Sequence, residues 1–128
     1  MLVAVIGILA AAAIPALLTF YRAQQLDGAA RRVATYLQEG RQLAIIRNTS
    51  FRVEIDTAGN RVRYVCVSTS CTNPAQNNPW TGAGTNAQGY RGLDPDYSVD
   101  ACSRTTFTFT PLGTLDMTAT PAGAVRVR

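Results

Sequence analysis

Hydrophobic positions along the chain follow three patterns in turn: an unbroken apolar run, a one-sided stripe, and strict alternation. Residues 1–21 carry no charged side chain, and charges recur from Arg22 onward. A helix of that length rises roughly 30 Å, about the thickness of a bilayer's hydrocarbon core. From Leu26 the apolar and small residues recur as Leu26, Ala29/Ala30, Val33, Leu37, Gly40 and Ala44, one stripe at helical spacing. The opposite face carries Arg31, Arg32, Gln38, Glu39, Arg41, Gln42 and Arg47. The two patterns predict one continuous helix of about 45 residues, apolar all round at first and then on one face only. Asn48-Thr49-Ser50 predicts its end, because these side chains compete for backbone hydrogen bonds and favour turns. The same triplet matches the N-glycosylation acceptor pattern, and the helix-terminus reading is preferred.

Beyond the helix the texture is β. Phe51–Asp56 and 61–67 alternate and are joined by Thr57-Ala58-Gly59-Asn60, which predicts a hairpin. A third alternating stretch, 104–110, turns at Pro111-Leu112-Gly113-Thr114, and 124–128 reads as a last strand. Between them, 68–90 is rich in Asn, Gly, Pro and Thr and predicts a long exposed loop. Trp80 within it is either a lid on the core or a contact to a neighbour. About 80 residues follow the helix, enough for one sheet domain with a modest core.

An apolar rod at the start of a polar chain has several readings. A cleaved signal peptide fits poorly, since no Lys or Arg precedes the apolar run and the run leads straight into more helix. A permanent membrane anchor agrees with the hydropathy. Gly7 and Pro15 add something more specific, because Pro15 lacks a backbone donor and weakens the turn before it.

The segment AVIGILAAAAIPALLTFYRAQQ, with Gly7 and Pro15 at matching places, resembles the N-terminal helix of type IV pilins and type II secretion pseudopilins. The stretch from Ala29 to Val65 is similar to the GspH/FimT-like branch of that family, through Gly40-Arg41-Gln42-Leu43-Ala44-Ile45 and Val53-Glu54-Ile55-Asp56. The resemblance covers roughly residues 1–68. It implies an α+β, pilin-like fold, with a long N-terminal α-helix packed on an antiparallel β-sheet head. It also implies that Gly7 and Pro15 loosen the helix inside a filament. Val3, Ile6, Ile8, Leu9, Ala11, Ile14, Leu17 and Leu18 then pack in the filament core. The family's basic leader, its Gly before the cleavage point and its early Glu have no counterpart here. The expectation is that the sequence begins inside the mature helix, the alternative being a true start at Met1.

Charge and cysteine content refine this reading. All 12 basic residues are arginine, against 8 acidic ones, for a net charge of +4. Solvated strand faces and pairs between subunits account for so mild an excess. The sharper reading is nucleic acid, through arginine–phosphate contacts, because FimT-like subunits include DNA-binding members; Arg126 and Arg128 are the candidates. Without histidine, Cys66, Cys71 and Cys102 make a poor zinc site. A secreted subunit is expected to form one disulfide. Cys71–Cys102 is preferred because closing the longer loop restricts the unfolded chain more, with Cys66 as the alternative partner. Asp94-Pro95-Asp96 reads as a turn rather than a cation loop. No nucleophile–base pairing or phosphate loop is present, so neither enzymatic activity nor a cofactor is expected.

The chain thus divides into an exposed hydrophobic half-helix, 1–22, and a head, 23–128, built from an amphipathic half-helix 23–48 and a sheet region 51–128. The functional expectation is a structural subunit of a type IV pilus-like filament, held in the bacterial inner membrane before assembly and found afterwards in an extracellular or periplasmic filament. Its partners would be copies of itself or related pilins, with prepilin peptidase and the assembly machinery implied by the family. The alternatives are a minor pseudopilin of a secretion pseudopilus, a DNA-binding FimT-like minor pilin, and a membrane-anchored binding domain that never polymerises.

Overall fold

The computed structural model describes residues 2–93, 99 and 105–118, with α1 side chains from position 17 onward. Helix α1 spans Leu2–Ile46 and is continuous through Gly7 and Pro15. It stops where the Asn-Thr-Ser triplet begins. Asn48 takes a φ of 48°, its N–H bonds the Ile45 carbonyl at 3.1 Å, and the Thr49 N–H bonds the Ala44 carbonyl at 3.1 Å. That pair of bonds is a Schellman cap with asparagine at the left-handed position.

Four strands follow: β1 Phe51–Asp56, β2 Arg61–Cys66, β3 Tyr90–Gly92 and β4 Thr106–Phe109. They form one antiparallel sheet in the order β3-β2-β1-β4. Alternation decides which face each residue takes. Phe51, Val53 and Ile55 of β1, Val62, Tyr64 and Cys66 of β2, and Phe107 of β4 are buried. In register, Val53 lies opposite both Tyr64 and Phe107, and Ile55 opposite Val62. The other face carries Arg52, Glu54, Arg61 and Arg63. There Glu54 accepts from Arg52 Nε at 2.7 Å and Arg63 Nε at 2.6 Å, and both Arg61 and Arg63 lie over the Tyr90 ring. The hairpin turn is fastened by Asp56, which accepts from the Gly59 N–H at 3.0 Å and Arg61 Nε at 2.7 Å. Those two bonds hold its carboxyl below the usual carboxylate range.

Helix α1 covers the buried face of the sheet through a stripe of mostly small side chains, and this is why it can lie so close. Ala29, Val33 and Ala44 are buried, with Tyr36, Leu37 and Leu43 packed beside them. At Gly40 a β-carbon would overlap Val53 Cγ2 and touch the Tyr64 ring. Val53 is fully buried and stiff at χ1, so it cannot swing away. Gly40→Ala should therefore destabilise the protein by about 1–2 kcal/mol, overpacking outweighing the better helix propensity of alanine. Gly28→Ala, with open space around it, should instead add up to about 1 kcal/mol. Urea unfolding of the two variants checks the contrast.

The expected Cys71–Cys102 disulfide is corrected. Cys71 pairs with Cys66, across a Cα–Cα distance of 6.3 Å and five positions of sequence. Cys66 ends β2, and a turn closed by the Cys71 N–H on the Ser68 carbonyl brings the second thiol straight back to it. Local geometry thus outweighs the entropic advantage of a longer loop. Cys102, Asp94, Asp96 and the expected strand 124–128 lie outside the described residues. Closing so small a loop contributes about 2 kcal/mol, so reduction should lower stability by about that amount. Under non-reducing tryptic mapping, peptide 64–91 should carry its own internal bridge and no link to the peptide holding Cys102.

The 68–90 segment is also less loose than its composition suggests. Past the disulfide the chain returns along β2: Asn77 N–H bonds the Cys66 carbonyl at 2.7 Å, Trp80 N–H bonds the Tyr64 carbonyl at 2.8 Å, and Val65 bridges Pro79. Residues 77–80 and β3 therefore divide one edge of β2 between them. Trp80 settles against the core edge-on to Tyr64, with ring centroids 6.3 Å apart.

Candidate assembly surface

The stripe that packs α1 onto the sheet begins at Ala29, so the helix before it has no sheet to lie on. Leu17, Leu18, Phe20 and Tyr21 are 71%, 55%, 61% and 60% exposed. At 100° per residue these four fall within about 160° of the helix circumference, so one side of it presents a contiguous apolar and aromatic surface. Contiguous exposed apolar surface of this kind marks an interaction site. Among the sequence-predicted packing residues, Leu17 and Leu18 are thus placed on open surface. Gly7 and Pro15 lie within continuous helix. The side chains of Val3, Ile6, Ile8, Leu9, Ala11 and Ile14 lie outside the described set. Among the described residues no helix is long and apolar enough to cross a membrane.

A second apolar area sits at the other end of α1. Ile45 and Ile46 are exposed there, with Leu112 and Met117 exposed on the segment after β4. A β-carbon at Gly113 would meet Ile45 Cδ1, so the 110–114 turn lies directly against the helix end. Beside Ile46 opens a cavity of about 260 Å³, lined by Glu39, Gln42, Leu43, Ile46, Tyr64, Trp80 and Arg91.

The floor of that cavity is a polar network that sequence reasoning missed. Glu39 Oε2 accepts from Tyr64 Oη at 2.9 Å and from Arg91 Nη1 at 2.8 Å. Tyr64 Oη also reaches the Tyr36 carbonyl, and Arg91 Nη2 the Ala83 carbonyl at 2.8 Å. Burial first, and then the Glu39 carboxylate, push the Tyr64 hydroxyl well above the usual tyrosine range. One carboxylate thereby links α1, β2, β3 and the loop that follows Trp80. No periodicity could have paired Glu39 with Arg91, because the two are 52 positions apart and β3 is only three residues long.

Arg52, Arg61, Arg63 and Arg91 are each held by a carboxylate of the same chain, Glu54 serving both Arg52 and Arg63. Arg126 and Arg128 lie outside the described residues. Among the described residues no cluster suits a metal ion.

A long helix, half free and half packed across an antiparallel sheet, is the architecture of a pilin-like subunit. The sequence profile of the type II transport protein GspH matches residues 29–128, and the chain belongs to that family. Among solved structures it is similar to the minor pseudopilin EpsH from the type 2 secretion system of Vibrio cholerae. The identity is 14% and the TM-score 0.49, over 80% of this chain and 95% of that one. No curated protein matches the sequence.

Proposed function

We propose that the chain is a structural subunit of a type IV pilus-like filament, assembled side by side through the free half of α1. The observation that carries this reading is the exposed apolar surface at Leu17–Tyr21, on a helix whose later turns pack one face onto the head. Before assembly, the uncharged run 1–21 holds the subunit in the inner membrane; afterwards the same run is covered by neighbouring helices. Inside the bundle, helix regularity is lost between Gly7 and Pro15, because Pro15 has no N–H to donate to the carbonyl one turn back and that turn is already weakened. Prepilin peptidase and the assembly machinery are the partners that act before the filament forms.

A second reading, a minor pseudopilin of a secretion pseudopilus, is supported by the family description, type II transport protein. Shearing cells that express the full chain, imaging the released material and identifying its subunits by mass spectrometry tests the filament. Filaments containing this chain along their length support the first reading, and a few copies confined to one end support the second. A chain recovered only as a monomer in the membrane fraction would overturn both.

A further inference from the structure

The cavity beside Ile46 differs from an ordinary core crevice in its chemistry. Leu43, Ile46 and Trp80 give its lining an apolar part, and Glu39, Gln42, Tyr64 and Arg91 give it a polar part. Ile46 is 76% exposed at its mouth, so a lone subunit leaves that apolar part largely wet. A tyrosine matches this division, having an apolar ring and one hydroxyl that can donate to a carboxylate or amide. The same chain displays such a residue. Tyr21 is 60% exposed, flanked by exposed Phe20 and Leu18, and precedes Ala29, the first buried residue among those described in the helix, by about two turns.

We propose that the cavity of one subunit receives Tyr21 from a second copy of this chain. The ring stacks against Trp80 and Ile46, and the hydroxyl donates toward Glu39 or Gln42. This rests on the filament reading and deepens it by naming a contact. In a filament whose helices all point the same way, a contact between positions 21 and 46 is head-to-tail and propagates into an open assembly. Positions 21 and 46 are separated by about 38 Å of helix at 1.5 Å per residue. Copies in this contact are therefore offset by about that distance along the helix axis. The spacing also makes the contact unreachable within one chain, because α1 is a single continuous helix.

The test places the photoreactive residue p-benzoylphenylalanine at position 21 of the full chain, followed by irradiation of sheared filaments and peptide mapping. A cross-link from position 21 to tryptic peptide 42–47, or to the peptide holding Trp80, is the expected result and can only be intermolecular. Adding Ile46→Glu, a surface substitution that leaves the head folded, should lower that yield about tenfold. Filaments that form but cross-link position 21 only to other segments, or to a different protein, would overturn the contact and leave the filament reading standing. Absence of filaments and of any cross-linked multimer would overturn both.

Discussion

Leu17→Asp is expected to abolish filaments, while the head of the variant should melt where the wild-type head melts. Both halves of this outcome follow from position 17 being exposed in the single subunit and far from the sheet. In the isolated chain an aspartate there remains hydrated and disturbs no packing. In a bundle of helices the same carboxylate is buried without a partner, once in every subunit. An unpaired buried charge costs several kcal/mol even after relaxation, and more than packing between helices recovers. Leu17→Ala should retain assembly, since it stays apolar and small residues pack well between helices. Negative-stain imaging of sheared fractions, with thermal melts of the purified variants, measures the two halves separately. Loss of filaments together with collapse of the head would mean that the leucine supports the fold instead.

Phe51→Ala should destabilise the head by about 3–5 kcal/mol, the usual range for removing a buried aromatic ring. Phe51 is 1% exposed on the second strand from the sheet's edge, opposite Cys66 in β2 and Phe109 in β4. Few neighbours can close the space its ring leaves, because the disulfide fixes Cys66 from behind. A loss of that size is a large share of the roughly 5–15 kcal/mol that holds a typical domain folded. The adjacent Arg52→Ala should cost about 1 kcal/mol or less, since Arg52 faces outward in a partly exposed ion pair. Urea midpoints at unchanged slope give both numbers. Equal losses at the two positions would contradict the register of β1.

Features set by short-range pattern were readable before the fold was seen. Helical spacing from Ala29 to Ala44 located the face of α1 that meets the sheet, whereas Leu26 and Ala30 of the same expected stripe are exposed, and period-two alternation located β1 and β2 with their inward residues. Asn48 as the helix end follows from one residue's tolerance of positive φ. What was not readable depends on encounters between distant segments. The pairing of residues 77–80 on β2 is made by backbone groups in a stretch whose Asn and Pro content suggests only turns. The Glu39–Arg91–Tyr64 network joins three elements through side chains whose types are equally common on open surface. For the disulfide, loop entropy favoured a distant partner, whereas the turn after Cys66 made the near one geometrically immediate. The candidate surface was half legible: its apolar helix stood out, and the cavity at the other end of α1 left no trace in the sequence.

Assembly as proposed requires that other subunits in a filament cover the free half of α1. A helical reconstruction of filaments sheared from cells expressing the full chain tests it most directly. The expected density encloses Leu17, Leu18, Phe20 and Tyr21 between neighbouring subunits, with the sheet's Arg52–Glu54–Arg63 face turned outward. Filaments held together by the heads alone, with residues 17–21 left on open surface, would contradict it.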